Sequence, residues 1–127
     1  MELIPNKKMY WEFIRTLRNM GGVRQGFVEQ KNISKENHEE YMLVYEKCFY
    51  ICIVDNSPVG YIGIINNDIR VATHPDYQGQ GVGKFMVNEI AKKYPSAIAK
   101  VKIENKASMK LFESCGYKKE YYLYGRK

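Results

Sequence analysis

No apolar run in the sequence approaches the roughly 20 residues that cross a bilayer, so no helical membrane span is expected. Its first residues, Met1-Glu2-Leu3-Ile4-Pro5-Asn6-Lys7-Lys8, lack the apolar core of a signal peptide, and a cytoplasmic location is expected. Cysteine is scarce. Cys48, Cys52 and Cys115 are an odd set with no C-x-x-C pair, which argues against a disulfide scaffold or zinc site and for reduced thiols. No block of Lys and Arg reaches five residues, although 20 basic residues against 14 acidic ones leave a net charge of +6. Scattered in this way, the excess forms neither a nucleic-acid nor a membrane footprint, but it suits a small anionic ligand. Linkers, repeats and low-complexity segments are also missing. With 45% hydrophobic and 27% charged residues, the 127-residue chain is expected to form one globular domain over 1–127.

What the chain does have is a glycine-rich centre, Tyr77-Gln78-Gly79-Gln80-Gly81-Val82-Gly83-Lys84-Phe85. The β-branched stretch Ile69-Arg70-Val71-Ala72-Thr73 and His74-Pro75-Asp76 precede it, and Phe85, Met86, Val87 and Ile90 follow at helical spacing. Strand, glycine loop and helix in that order build an anion cradle, in which consecutive backbone N–H groups converge and the helix dipole adds positive potential. A P-loop is excluded because Gln78 stands at its first glycine position and Phe85 at its hydroxyl position. The spacing of Gly79, Gly81 and Gly83 likewise departs from the dinucleotide pattern G-x-G-x-x-G.

Around this centre the periodicities predict a short strand at Glu2–Ile4, then an amphipathic helix from Lys8 through Leu17 that ends near Gly21-Gly22. A loop is expected over 23–31, and Ser34 is the N-cap of a second helix with Tyr41, Met42 and Tyr45 on one face. Strands at 49–54, 59–65 and 69–73, joined by short turns, predict an antiparallel meander. The glycine-loop helix should stop before Pro95. Beyond it the pattern predicts a strand over 97–102, a short helix from Asn105 ending at Gly116, and a last strand from Tyr117 to about Tyr124.

Two motifs carry a family resemblance. Gln78-x-x-Gly81-x-Gly83, following His-Pro-Asp-Tyr, resembles the acyl-CoA pyrophosphate loop of the GNAT superfamily of N-acetyltransferases. Asn105-Lys106-Ala107-Ser108-Met109-Lys110-Leu111-Phe112-Glu113-Ser114-Cys115-Gly116-Tyr117 looks like that superfamily's pattern N-x-x-A/S-x-x-L-Y/F-x-x-x-G-F. The resemblance implies an α+β fold, an α/β/α sandwich whose mixed, mostly antiparallel central sheet is flanked by helices. It implies acetyl-CoA as acyl donor, a small-molecule amine as acceptor and a monomer or homodimer, with no metal. Residue by residue, it implies that Gln78, Gly79, Gln80, Gly81, Val82, Gly83 and Lys84 bind the pyrophosphate. Val71 and Thr73 are implied to pair with the pantetheine arm, and Asn105 and Ser108 to contact the pantetheine or pyrophosphate region.

The chemistry implied is direct attack by a primary amine in a ternary complex, which needs a base and a proton source for the leaving thiolate. At the position of the family's tyrosine acid this chain has Phe112, which has no proton to give. Tyr122 is the acid candidate, with Tyr121 and Tyr124 as alternatives, Tyr117 as a core aromatic and water as a further donor. Asp68 is the base candidate, beside Glu104, His74 and an exposed or acceptor-side His38. Leu17-Arg18-Asn19, Val23-Arg24 and Ile33-Ser34-x-Glu36-x-His38 are similar to the branch that acetylates nucleotide-linked amino sugars, and to N-terminal acetyltransferases of ribosomal proteins. An amino sugar is the leading acceptor. The rivals are a non-catalytic acyl-CoA-binding regulatory module and a protein N-terminal acetyltransferase.

Overall fold

A computed structural model describes residues 1–20 and 33–126. Four strands, Glu2–Pro5 (β1), Phe49–Val54 (β2), Ser57–Ile65 (β3) and Asp68–Thr73 (β4), form an antiparallel sheet in the order β1-β2-β3-β4. Its tight turns follow from residue types that accept positive φ. Asp55 and Asn56 (φ 49° and 65°) join β2 to β3, and Asn66 and Asn67 (φ 52° and 65°) join β3 to β4.

Strand alternation divides the apolar side chains between two cores. Phe49, Ile51, Tyr61, Ile65 and Ala72 face α1 (Trp11–Asn19) and α2 (Lys35–Tyr45), meeting Ile14, Leu17 and Met42. Cys52, Ile62 and Ile69 face α3 (Val82–Lys93) and α4 (Lys106–Ser114), meeting Val82, Met86, Val87, Ile90 and Phe112. A register shift in the β2–β3 pairing between Cys52 and Ile53 turns Val59 toward the second core as well. At Gly60 an added Cβ would lie 2.9 Å from the Ala72 carbonyl oxygen, so this close approach of β3 and β4 requires glycine. Helices on both faces give the expected sandwich. Burying Met86 and Ile90 contributes roughly 1.5–3 kcal/mol each, which fixes α3, and the loop that starts it, against the sheet.

Most boundaries agree with the sequence. Ser34 caps α2 by accepting from the Asn37 N–H at 3.1 Å, α3 stops before Pro95, and Gly116 takes φ 91° just past α4. The first helix ends at Asn19, while the expected glycine end and the 23–31 loop, with Arg24, lie outside the described residues. Among the described residues no helix is long and apolar enough to cross a membrane.

Two expected strands are corrected. Over 97–102 the pairing is a single parallel bridge, Asp68 with Ile98, which supplies the mixed part of the sheet. Alternation is kept, since Ala97, Ala99 and Val101 pack on the second core, but the backbone diverges from β4 and no ladder follows. The segment 117–126 is no strand either; Tyr121, Tyr122, Leu123 and Tyr124 are exposed in succession, without the two-residue period of a half-buried strand.

Candidate functional site

β4 leads into a short 3-10 turn, Pro75–Tyr77, whose first N–H is held by His74: its Nδ1 accepts from the Asp76 N–H at 3.1 Å. Two glutamine amides then brace the loop. Gln78 Nε2 donates to the Thr73 carbonyl at 3.3 Å, and Gln80 Nε2 donates to the Asp76 carbonyl at 3.2 Å. Gly79 and Gly81 take left-handed φ of 77° and 83°, and a Cβ at either would meet nothing within 4 Å. The space beyond both glycines is therefore open, and both line the cleft described below. Phe85 is the first α3 residue whose N–H turns back along the helix, to the Gly81 carbonyl at 3.0 Å. The N–H groups of Val82, Gly83 and Lys84 precede that bond and have no intrahelical acceptor, which is the local chemistry of an anion site.

The second half of the site is a gap in the sheet. Ile69 N–H donates to the Ile98 carbonyl at 2.8 Å, and Ile98 N–H donates to the Asn67 carbonyl at 2.9 Å. Past this bridge pairing stops, and among the described residues Val71 and Thr73 have no backbone partner along the edge they share with Ile69. The gap opens into a cleft of about 670 Å³ between β4, the glycine loop and the start of α4. Val71, Thr73, Gln78, Gly79, Gly81, Val82, Gly83, Lys84, Asn105 and Ser108 all line it, together with Tyr77, Glu104 and Leu111. At Gly83 a Cβ would lie 3.3 Å from a Leu111 methyl, so the missing side chain lets α3 and α4 pack closely behind the cleft. An open glycine cradle, helix N–H donors and an unpaired strand edge within one cleft fit a long ligand with an anionic end, as coenzyme A is.

Residues 7–117 match the profile of the Acetyltransferase (GNAT) family. The chain belongs to the GNAT acetyltransferase family. As a GNAT protein it is an acetyl-CoA-dependent N-acetyltransferase, transferring acetyl to an amine. Solved GNAT structures share its fold. Spermidine N-acetyltransferase from Vibrio cholerae, with CoA and spermine, superposes with a TM-score of 0.82 at 18% identity over 96% of this chain and 83% of that one. For yncA of Salmonella typhimurium with acetyl-CoA the TM-score is 0.73 at 18% identity, over 91% of this chain and 78% of that one. For AAC(6′)-Iy with the bisubstrate analogue CoA-S-monomethyl-acetylneamine it is 0.70 at 16% identity, over 99% and 97%. No curated protein sequence matches the chain.

Several residues expected from the GNAT motifs stand differently from the rest. Gln80 is exposed and does not line the cleft. Asn105 lines it while also capping α4, its Oδ1 accepting from the Ser108 N–H at 3.1 Å, which leaves its Nδ2 free to donate. Phe112 is buried edge-on against Tyr117, ring centroids 5.4 Å apart. The Tyr117 hydroxyl is buried without a partner, and burial raises its pKa. The structure does not bring Tyr122 to the cleft, since it is 82% exposed on the irregular C-terminal segment. Asp68 does not line the cleft; it lies at the bridge to Ile98, beyond which the two segments part. Its Oδ1 is buried without a partner, and its Oδ2 lies 3.8 Å from Arg70 Nε.

His38 corrects the expectation of an exposed or acceptor-side group. It is 1% exposed between α1 and α2, with Nε2 2.8 Å from the Trp11 carbonyl oxygen, so Nε2 carries the proton and donates. Burial, with the Arg18 charge second, lowers its pKa to about 4. Between pH 6.5 and 4 the unfolded chain binds a proton there that the folded chain refuses, so stability falls as pH drops through this window. We expect a loss of roughly 3 kcal/mol across it from this group. Urea unfolding at pH 7 and pH 4.5 measures the loss. His38→Gln keeps an N–H donor without titrating, and should flatten the acid limb; an unchanged limb would remove His38 as its cause.

Proposed function

We propose that the acceptor is the primary amine of a small molecule, an amino sugar free or nucleotide-linked, and that it meets the donor where the cleft closes near Asp68. The observation that carries this reading is the free β4 edge at Val71 and Thr73, between the glycine cradle and the bridge that Asp68 makes with Ile98. Acetyl-CoA supplies an activated acetyl thioester. The N–H groups of the loop from Gln78 to Lys84 hold its pyrophosphate, aided by the Lys84 ammonium, while the Gln78 and Gln80 side chains brace that loop through the Thr73 and Asp76 carbonyls. Val71 and Thr73 offer main-chain groups to the pantetheine amides, and Asn105 Nδ2 and Ser108 Oγ add donors from α4.

Asp68 receives the ammonium proton of the acceptor. Its Oδ1 is buried, so Oδ2, 3.8 Å from Arg70 Nε, is the oxygen that accepts the proton. Phe112 has no proton for the departing thiolate and Tyr122 is far into solvent, so water in the open cleft is the proton source. An amino-sugar acceptor is supported by the acetylneamine analogue in one fold neighbour and by the amino-sugar likeness of the first helices.

Free-thiol release from acetyl-CoA, measured against amino sugars, polyamines, amino acids and short peptides, tests this reading. We expect the highest kcat/KM with an amino sugar. A preference for spermidine or for a peptide N-terminus would replace it.

A further inference from the structure

The sheet face opposite the glycine cradle carries an aromatic floor with an unusual charge balance. Tyr41 packs on Tyr45 (ring centroids 4.8 Å apart) and on Phe49 (6.2 Å), and Phe49 packs on Tyr61 (5.7 Å). Two guanidinium groups from distant parts of the chain converge on Tyr41. Arg18, in the last turn of α1, places Cζ 4.8 Å from the ring centroid, and Arg70 Nη1 donates to the Tyr41 hydroxyl at 3.2 Å.

Among the described residues only one carboxylate answers them. Asp68 Oδ2 lies 3.8 Å from Arg70 Nε, while Glu12 is engaged by Arg15 at 2.6 Å. Among the described residues Arg18 forms no ion pair. Its charge is felt by buried neighbours, for it disfavours protonated His38 and opposes the effect of burial on the Tyr41 and Tyr61 hydroxyls. Two guanidiniums gathered on one half-buried ring, with a single counter-charge among the described residues, repel each other, and an incoming anion relieves that repulsion.

The position is as informative as the charge. Arg70 stands in β4 between Ile69, where the cleft is bridged shut, and Val71, where the free edge begins. Alternation puts its side chain on the α1–α2 face, beside that of Asp68. A molecule reaching the closed end of the cleft from this face meets a carboxylate and two guanidiniums together.

We propose that the acceptor is an anionic amine, whose phosphate or carboxylate is held by Arg18 and Arg70 while Asp68 receives its ammonium group; the inference rests on the amine-acetylating reading of the cleft. Planar guanidinium forks match phosphate and carboxylate oxygens in pairs. A polycation such as spermine would meet like charge here.

The test compares amines that differ only in the anion: glucosamine with glucosamine 6-phosphate, and alanine amide with alanine, with spermidine as the cationic control. By free-thiol release, we expect the anionic member of at least one pair to be favoured roughly tenfold or more in kcat/KM, mainly through KM. Preference within the sugar pair identifies a phosphate, and within the amino-acid pair a carboxylate. Arg70→Gln and Arg18→Gln should each shrink the ratio, and Arg70→Lys should keep part of it. Equal use of both members, or better use of spermidine, overturns the inference while leaving an amine acetyltransferase. Anion preference confined to the amino-acid pair keeps the inference and removes the amino sugar. No transfer to any of these amines overturns both.

Discussion

Gly81→Trp is expected to weaken acetyl-CoA binding by at least about 100-fold, measured by titration calorimetry. The loop is open above this residue, and Gly81 lines the cleft, so an indole there fills the space in which the N–H groups converge. Each charge-assisted hydrogen bond lost is worth roughly 1.5–3 kcal/mol, and two such bonds account for the effect. The substitution has a second cost, because a residue with a Cβ at φ 83° is strained by about 1–2 kcal/mol. Gly81→Asn separates the two: asparagine tolerates the left-handed region and projects less, so it should fold normally and retain more binding. A folded Gly81→Trp protein that binds acetyl-CoA undiminished would sink the pyrophosphate assignment.

Asp68→Asn is expected to lower kcat by about 10²–10⁴-fold, the range for loss of a positioned base, with the acetyl-CoA Kd unchanged. Stability provides the internal control. One oxygen of the Asp68 carboxylate is buried without a hydrogen bond, and such a group is costly to fold around. Replacing the charge with a neutral amide relieves that cost but also removes the carboxylate facing Arg70, so the two effects oppose and the melting temperature should change by only a few degrees. Activity should recover toward high pH, where the acceptor amine loses its proton without help. A variant that keeps full activity at neutral pH would remove Asp68 from the reaction.

The parts of this site that lie close together in sequence were legible there. The glycine loop, the helix after it and the Asn105 cap each follow from local spacing and from residues suited to φ or capping. The turns at Asp55-Asn56 and Asn66-Asn67 were readable for the same reason, as was the meander they join. What failed depended on partners. Residues 97–102 keep the alternation of a strand because one side packs on a core, yet alternation reports burial and says nothing of pairing. His38 is polar in a helix with polar neighbours, and only the packing of α1 against α2 buries it. The convergence of Arg18 and Arg70 on Tyr41 joins residues from three separate elements, so no local window could contain it.

The interrupted pairing at Ile98 bears on how the protein survives between turnovers. A strand edge with unused donors and acceptors is a template for unwanted association with other chains, and β4 offers such an edge from Val71 onward. On the proposed placement, the pantetheine arm of the donor occupies that edge as a strand would. The acyl donor then acts as a chaperone for its own enzyme. By mass action, donor bound there would add to the stability of the folded, unassociated chain as its concentration rises above Kd.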